Sequence, residues 1–267
     1  MRKTLCLLAL LGLAAHAQDR ALENTIGDEM TQRKPDATVW LEAGSQKFAA
    51  LMVPAITKTK RGGIILVHGA DEPPDARNIL TPISQKLPER GWDTLAIQAA
   101  LPEQGSLPEQ HLGLIASSLD RIESAVNYLQ NRKSTPVALL GVGTGAVAAL
   151  RFAAEKPDAK LAAIVIIDPP SDTSSEAALL ADLAKTRIPA LDVQSNRSKT
   201  LTQATYLKRK RAAQENPRYR QTGLIDATAG YSELEDMMTN RIGGWLMKET
   251  PEPEQDGAAA KAATPPP

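Results

Sequence analysis

The sequence predicts an α/β domain in which a mostly parallel sheet of about eight strands carries helices on both faces. Three observations predict it. Short continuous runs of Ile, Leu, Val and Ala recur along the chain, as in strands buried on both sides. Segments with apolar residues every three or four positions fall between those runs. One run also passes through a glycine-rich bend directly into a helical segment, over residues 141–146. Strands alternating with helices through short connections imply parallel neighbours, because each crossover returns the chain to the same edge of the sheet.

At 267 residues the chain is within reach of one domain of this class. Its first 17 residues read as a secretory signal. Arg2 and Lys3 supply the charged start, residues 5–14 the apolar stretch, and Ala15-His16-Ala17 the small-x-small cleavage site. The apolar stretch is too short for a membrane span, which needs roughly 20 residues. Cys6, the single cysteine, lies inside it, so the mature chain has no thiol for disulfide, metal or redox chemistry. No later apolar run is long enough to span a bilayer. A periplasmic location, with no transmembrane segment in the mature chain, is therefore expected. Residues 249–267 contain no aromatic or large aliphatic side chain and read as a disordered Pro/Ala-rich tail. Residues 18–248 form the expected domain.

Within it, Val39-Trp40-Leu41 and residues 48–53 read as a hairpin turning at Gly44-Ser45. Further strands are expected over 63–67, 94–97, 137–140, 163–167, 189–193 and 221–225. The clearest helix carries the stripe Leu112, Ile115, Leu119, Ile122, Val126 and Leu129. A small Ala-rich helix over 147–154, and helices over 201–214 and 232–247, complete the set.

Lys plus Arg equals Asp plus Glu at 31 each, so no net positive charge draws nucleic acid. An aromatic content of 3% leaves few faces on which bases could stack. No nucleic-acid partner is expected. The basic run Lys208-Arg209-Lys210-Arg211, with Lys199, Arg218 and Arg220 nearby, reads as a solvated helix at the rim. The alternative reading is contact with an anionic envelope component or an acidic protein.

The most informative stretch is Gly141-Val142-Gly143-Thr144-Gly145-Ala146. A buried strand, a sharp glycine turn and a small-residue helix are the context of a nucleophile elbow, Gly-x-Ser-x-Gly. Gly141 and Gly145 fill the flanking positions, where a side chain would collide with the neighbouring strand and helix. The centre is Gly143, which has no nucleophile to offer. Centring the motif on Thr144 instead puts Val142 and Ala146 at the crowded flanks and a β-branched residue at positive φ. Phosphate cradling is also poorly matched. The stretch lacks the Lys-Ser/Thr ending of a P-loop, and position 146 lacks the third glycine of a dinucleotide fingerprint.

Further motifs accompany the bend: residues 61–69 ending in His68-Gly69, then Gly91-Trp92-Asp93-Thr94-Leu95, Pro189-Ala190-Leu191-Asp192, Tyr219-Arg220-Gln221 and residues 241–246. With these the chain resembles, over 61–246, an uncharacterised proteobacterial envelope family of α/β-hydrolase-like proteins with a degenerate catalytic triad. The resemblance implies the α/β-hydrolase fold and brings no activity with it. In the wider superfamily the general-base histidine follows the last strand. Here residues 226–231 contain none, and Tyr231 takes the position. A tyrosine with a pKa near 10 is a poor base at neutral pH. The triad acid follows the strand ending near Val193, but residues 194–198 hold no carboxylate. Asp168, where some hydrolases place their acid, reads as structural, capping the next segment. His68 lies in the loop that elsewhere helps to build the oxyanion hole. It reads as a loop-ordering histidine bonded to backbone, with ligand contact as the alternative. His111, expected to be exposed at the start of the long helix, is too far from His68 in sequence for a metal-ligand pattern. No metal and no cofactor are expected.

The function expected from these readings is non-catalytic binding of a small ligand or an envelope protein. The binding cleft would lie above Gly143, at the carboxyl ends of the strands, with His68, Gly69, Gly143, Thr144, Asp168 and Tyr231 around it. Two alternatives remain. One is an esterase-like hydrolase with a displaced constellation, such as Thr144 or Ser171 with His68. The other is an envelope assembly or scaffold factor acting through the tail or the basic helix.

Overall fold

A computed structural model describes residues 18–70, 72–74, 79–170, 175–195, 203–224 and 234–250. The expected signal, Ser171, Tyr231 and residues 251–267 of the tail lie outside the described residues.

The eight strands are β1 (Thr38–Ala43), β2 (Gln46–Val53), β3 (Gly62–Val67), β4 (Trp92–Ile97), β5 (Val137–Val142), β6 (Leu161–Ile167), β7 (Ala190–Ser195) and β8 (Tyr219–Leu224). They form one sheet in the order β1-β2-β4-β3-β5-β6-β7-β8. The β1–β2 hairpin is antiparallel and β2 pairs antiparallel with β4, while every other neighbouring pair is parallel. Each expected strand is present, including the hairpin turn, where Gly44 takes φ +58°.

Side chains alternate across the parallel strands into two cores. Ile65, Val67, Leu139 and Ile166 face a layer that includes α4 (Ile115–Asn131), α5 (Thr144–Glu155) and α6 (Glu176–Lys185). Ile64, Leu66, Leu140 and Val165 face α1 (Arg20–Arg33), α2 (Leu80–Lys86) and α8 (Glu235–Glu249). The long helix starts at Ile115, three residues later than its first apolar position predicts. Leu112 belongs to a separate 3-10 turn, Leu112–Leu114, which follows the short α3 (Pro108–His111). The basic segment is helical as α7 (Gln203–Ala212). The last helix runs through Glu249, and Thr250 is buried with its N–H on the Leu246 carbonyl at 2.9 Å. Glu249, placed in the tail by the sequence reading, is thus the last residue of a helix, and Thr250 caps it.

Four of the described helices escaped the sequence pattern: α1, α2, the four-residue α3 and α6. α2 has seven residues, and α6 buries only Leu179, Asp182 and Leu183. α1 buries Glu23, Gly27 and Met30, so it has no apolar stripe to detect. A buried charge docks it instead. Glu23 and Arg121 are 2% and 1% exposed and meet at 2.6 Å. Arg121 also donates to the Gln98 carbonyl at 2.9 Å, and its guanidinium lies 5.3 Å from the centre of the Phe48 ring. The Glu23 carboxylate further accepts from Arg20, from the Gln18 amide and from the Leu101 N–H. Four donors around one carboxylate supply the compensation that a buried ion requires.

Removing one partner of such a pair leaves the other charged and buried, which costs about 3–5 kcal/mol. Arg121→Met should therefore lower the urea-unfolding free energy by that order. Adding Glu23→Gln should recover part of the loss, because the neutral amide still accepts from Leu101. Equal stability of Arg121→Met and the parent would contradict this account.

Candidate functional site

The bend between β5 and α5 is built from backbone. A Cβ added to Gly145 would lie 2.3 Å from the His68 carbonyl oxygen and 2.4 Å from that of Val67. One added to Gly141 would lie 2.3 Å from the Gly145 carbonyl oxygen. Both flanking glycines are thus required by close approach, as the motif predicts. Gly143 differs. It has φ +58° and ψ −124°, outside the regions that L-residues occupy without strain, yet a Cβ there would meet only the Gly69 Cα, at 3.8 Å. The bend thus has steric room for a side chain at its centre and carries none.

Thr144 opens α5, and its hydroxyl oxygen accepts the Ala70 N–H at 2.7 Å. In working hydrolases of this architecture the oxyanion hole combines two backbone donors. One belongs to the residue after the nucleophile, and the other to the loop after β3. Here Thr144 is the residue after the central position and Ala70 lies in that loop. The Ala70 donor is aimed at a side chain of the protein itself.

His68, just below, is 0% exposed. Its Nε2 accepts the Ala99 N–H at 2.9 Å, which places the proton on Nδ1, 2.6 Å from the Gly69 carbonyl oxygen. Burial lowers its pKa to about 4, and the bond to Gly69 offsets only part of that effect. The ring is neutral at pH 7 and both nitrogens are engaged by backbone. This is the loop-ordering role, and the alternative of ligand contact through a ring nitrogen is not what the geometry provides.

Asp168 follows β6 with φ +43°, and its carboxylate accepts the Ser195 N–H at 2.8 Å. It reaches sideways to the end of β7, and residues 171–174, the segment it is expected to cap, lie outside the described residues. Asp168 N also donates to the Val193 carbonyl at 3.0 Å, and Gly143 N to the Ile167 carbonyl at 2.9 Å, tying the tips of β5, β6 and β7 together. Of the six expected site residues, Gly69, Gly143 and Thr144 therefore meet at the bend. His68 lies beneath it, Asp168 stands at the neighbouring strand tip, and Tyr231 lies outside the described residues.

A second polar cluster lies under β7. Buried Asp192 accepts from the Tyr219 hydroxyl at 2.7 Å, from the Gln194 amide at 3.0 Å and from Arg209 at 3.4 Å. Arg209 also donates to the Pro169 carbonyl at 2.9 Å. Burial and the adjacent Asp192 push the Tyr219 hydroxyl far above its ordinary pKa. Arg209 corrects the reading of the basic run as wholly solvated. It is 2% exposed, while Lys208 pairs with Glu176 at 2.8 Å. Four consecutive residues on a helix point in directions about 100° apart, so one faced inward.

Two spaces lined by described residues border the bend. The one directly beneath it, between His68, Thr144, Ile115 and Ser118, measures about 10 Å³ and holds one water at most. The other is a cavity of about 470 Å³ between α1, the loop after β3 and residues 101–106, reaching Ala70 and His111. Sequence reasoning missed it, because its walls come from a helix without an apolar stripe and a loop without a motif. Among the described residues no group of three or more His, Cys, Asp or Glu could hold a metal ion.

The sequence profile of a family described as "Protein of unknown function (DUF3530)" matches residues 5–118 and 109–248. No curated protein matches the chain. In three dimensions the chain is similar to the esterase domain of a Rhodothermus marinus protein, at 18% identity and a TM-score of 0.61 over 78% of this chain and 96% of that one. It is also similar to Est1E from Butyrivibrio proteoclasticus, at 13% and 0.66 over 80% and 99%. A dienelactone hydrolase from Anabaena variabilis aligns at 19% and 0.59 over 79% and 96%. Likeness at these identities shows the fold, which is the α/β-hydrolase fold.

Two outcomes follow from the bend. Gly145→Ala should lower the urea midpoint more than Gly143→Ala. The first substitution forces backbone apart, whereas the second adds only the strain of a positive φ, about 1–2 kcal/mol. Similar midpoints for the two variants would contradict the close approach. His68 makes stability depend on pH. Its folded pKa lies below the ordinary 6.5, so the unfolded chain binds the proton first. The stabilisation is complete above pH 6.5 and is lost as pH falls from there to about 4, a loss of about 3 kcal/mol. Unfolding free energies of the parent and His68→Gln across that range should converge as the pH falls.

Proposed function

The chain belongs to the DUF3530 family of proteins of unknown function, and we propose that it is a non-catalytic member of the α/β-hydrolase fold acting by binding. Its ligand is a small molecule or an envelope protein, held in the crevice beside the β5–α5 bend, and its place of action is the periplasm. The observation that carries the reading is the bend itself: Gly143 stands at its centre, and the Ala70 N–H is bonded to Thr144.

Acyl transfer needs an activated nucleophile and donors aimed at the charge that develops on the substrate. Gly143 supplies no nucleophile. The Thr144 hydroxyl is engaged by a backbone donor, not by a histidine. His68 uses both ring nitrogens on backbone, which weighs against a displaced pair of Thr144 and His68. The Asp168 carboxylate accepts the Ser195 N–H, and residues 226–231 hold no histidine for it to orient. A periplasmic location is supported by residues 1–17, with their charged start, apolar stretch and small-x-small site. Among the described residues no helix is long and apolar enough to cross a membrane.

Purified protein is expected to show no turnover across a panel of esterase, lipase and peptidase substrates and no labelling by a fluorophosphonate probe. Gly143→Ser should fold and remain inactive, because it restores the hydroxyl without a base. Turnover that disappears on substitution of Thr144, Tyr231 or Asp168 would overturn the proposal.

A further inference from the structure

We infer that Gln18 is a gated modification site: as the first residue of the mature chain it stays an open glutamine while Glu23 holds its side-chain amide, and it cyclises to pyroglutamate when that hold is lost. This rests on the reading of residues 1–17 as a leader cleaved after Ala17. A glutamine at a free N-terminus carries nucleophile and electrophile in one residue. The α-amino nitrogen attacks the side-chain Cδ, the N–Cδ bond forms and the Cδ–Nε2 bond breaks. Nε2 takes up a proton from the α-nitrogen and leaves as ammonia. The lactam that remains has no titratable amine, and no oxidant or second substrate is needed.

The fold opposes that step. The Gln18 amide nitrogen donates to both oxygens of the Glu23 carboxylate, at 2.8 and 2.9 Å. Glu23 is itself immobilised, by Arg121 and Arg20 at 2.6 Å each and by the Leu101 N–H at 2.9 Å. Ring closure expels the nitrogen that makes the two contacts, so a carboxylate that is 2% exposed loses both of those hydrogen bonds. Leaving a buried charge short of donors is costly. The backbone beside Gln18 is fixed as well. Gln18 pairs with Pro102 in an antiparallel bridge, and the Asp19 N–H donates to the Leu101 carbonyl at 3.0 Å. The Asp19 carboxylate accepts the Leu22 N–H at 2.9 Å and so caps α1. These restraints exist only while α1 is seated. Cyclisation is irreversible, so the lactam fraction records the time that α1 has spent unseated. The open form keeps its ammonium group next to Asp19, a residue of the 470 Å³ cavity wall.

The protein, produced with its own leader and recovered after export, is followed by intact-mass spectrometry at neutral pH, folded and in guanidinium chloride. The folded chain should begin at Gln18 and keep its full mass. In guanidinium chloride it should lose the mass of one ammonia faster by about tenfold or more, since each hydrogen bond to a charged group contributes about that factor. Glu23→Gln should lose ammonia faster than the parent when folded, and at the parent's rate in guanidinium chloride. Equal rates for the folded and denatured parent, or a folded Glu23→Gln chain as inert as the parent, would overturn the assignment. The comparison of folded and denatured parent stands whether or not the variant folds. A chain that begins at another residue would be recognised in the first spectrum, before any incubation, and would remove the leader reading together with the assignment.

Discussion

Where β5 turns into α5, two stretches of backbone touch with no side chain between them, and the rest of the site is arranged by that contact. Gly145 lies against the carbonyls of Val67 and His68, and Gly141 lies against Gly145. The first turn of α5 is thereby pressed onto the exit of β3. That proximity brings the Ala70 N–H to the Thr144 hydroxyl and sinks His68 beneath the loop. It also holds Gly143 in a conformation that exposes whatever the central residue carries. The crossing is a packing requirement that exists with or without a nucleophile. A chain can therefore keep the shape of a catalytic bend while its centre is bare.

Much of this architecture was legible in the residues. Strands buried on both faces favour continuous apolar runs, and such runs stand at β3, β5 and β6, whereas β4 buries Asp93 and Thr94 beside its apolar residues. The bend was legible because only glycine tolerates its contacts. What could not be read depends on long-range pairing. α1 is held by Glu23, whose partner Arg121 is 98 residues away, so no local pattern marks it. Asp168 turns to Ser195 because of how β6 and β7 lie side by side, which position in the chain does not reveal. The inward turn of Arg209 follows from a carboxylate on another element, invisible in a run of four basic residues.

Several residues that stood out as motifs prove to be polar joints between elements. Tyr219 and Gln221, from one motif, both donate to the carboxylate of Asp192, from another, joining β7 to β8 from within. Asp93, in the Gly91-Trp92-Asp93 motif, accepts from the Ala55 N–H at 2.7 Å, from Ser134 at 2.5 Å and from Lys60 at 2.9 Å. Buried carboxylates of this kind specify which elements meet, since each must find its donors or remain uncompensated. Sequence distinctiveness at such positions is a property of assembly as well as of chemistry.

The anchoring of α1 also bears on the order in which the molecule comes together. Its attachments run to Gln98, Leu101 and Arg121, which lie 75, 78 and 98 residues further along the chain. None of these partners is in position until β4 has joined the sheet and α4 has packed against it. With so little apolar surface of its own to bury, the helix gains nothing from docking earlier. The seat of α1 is consequently complete only once β4 and α4 are in place, and the cavity wall that it forms is completed with them.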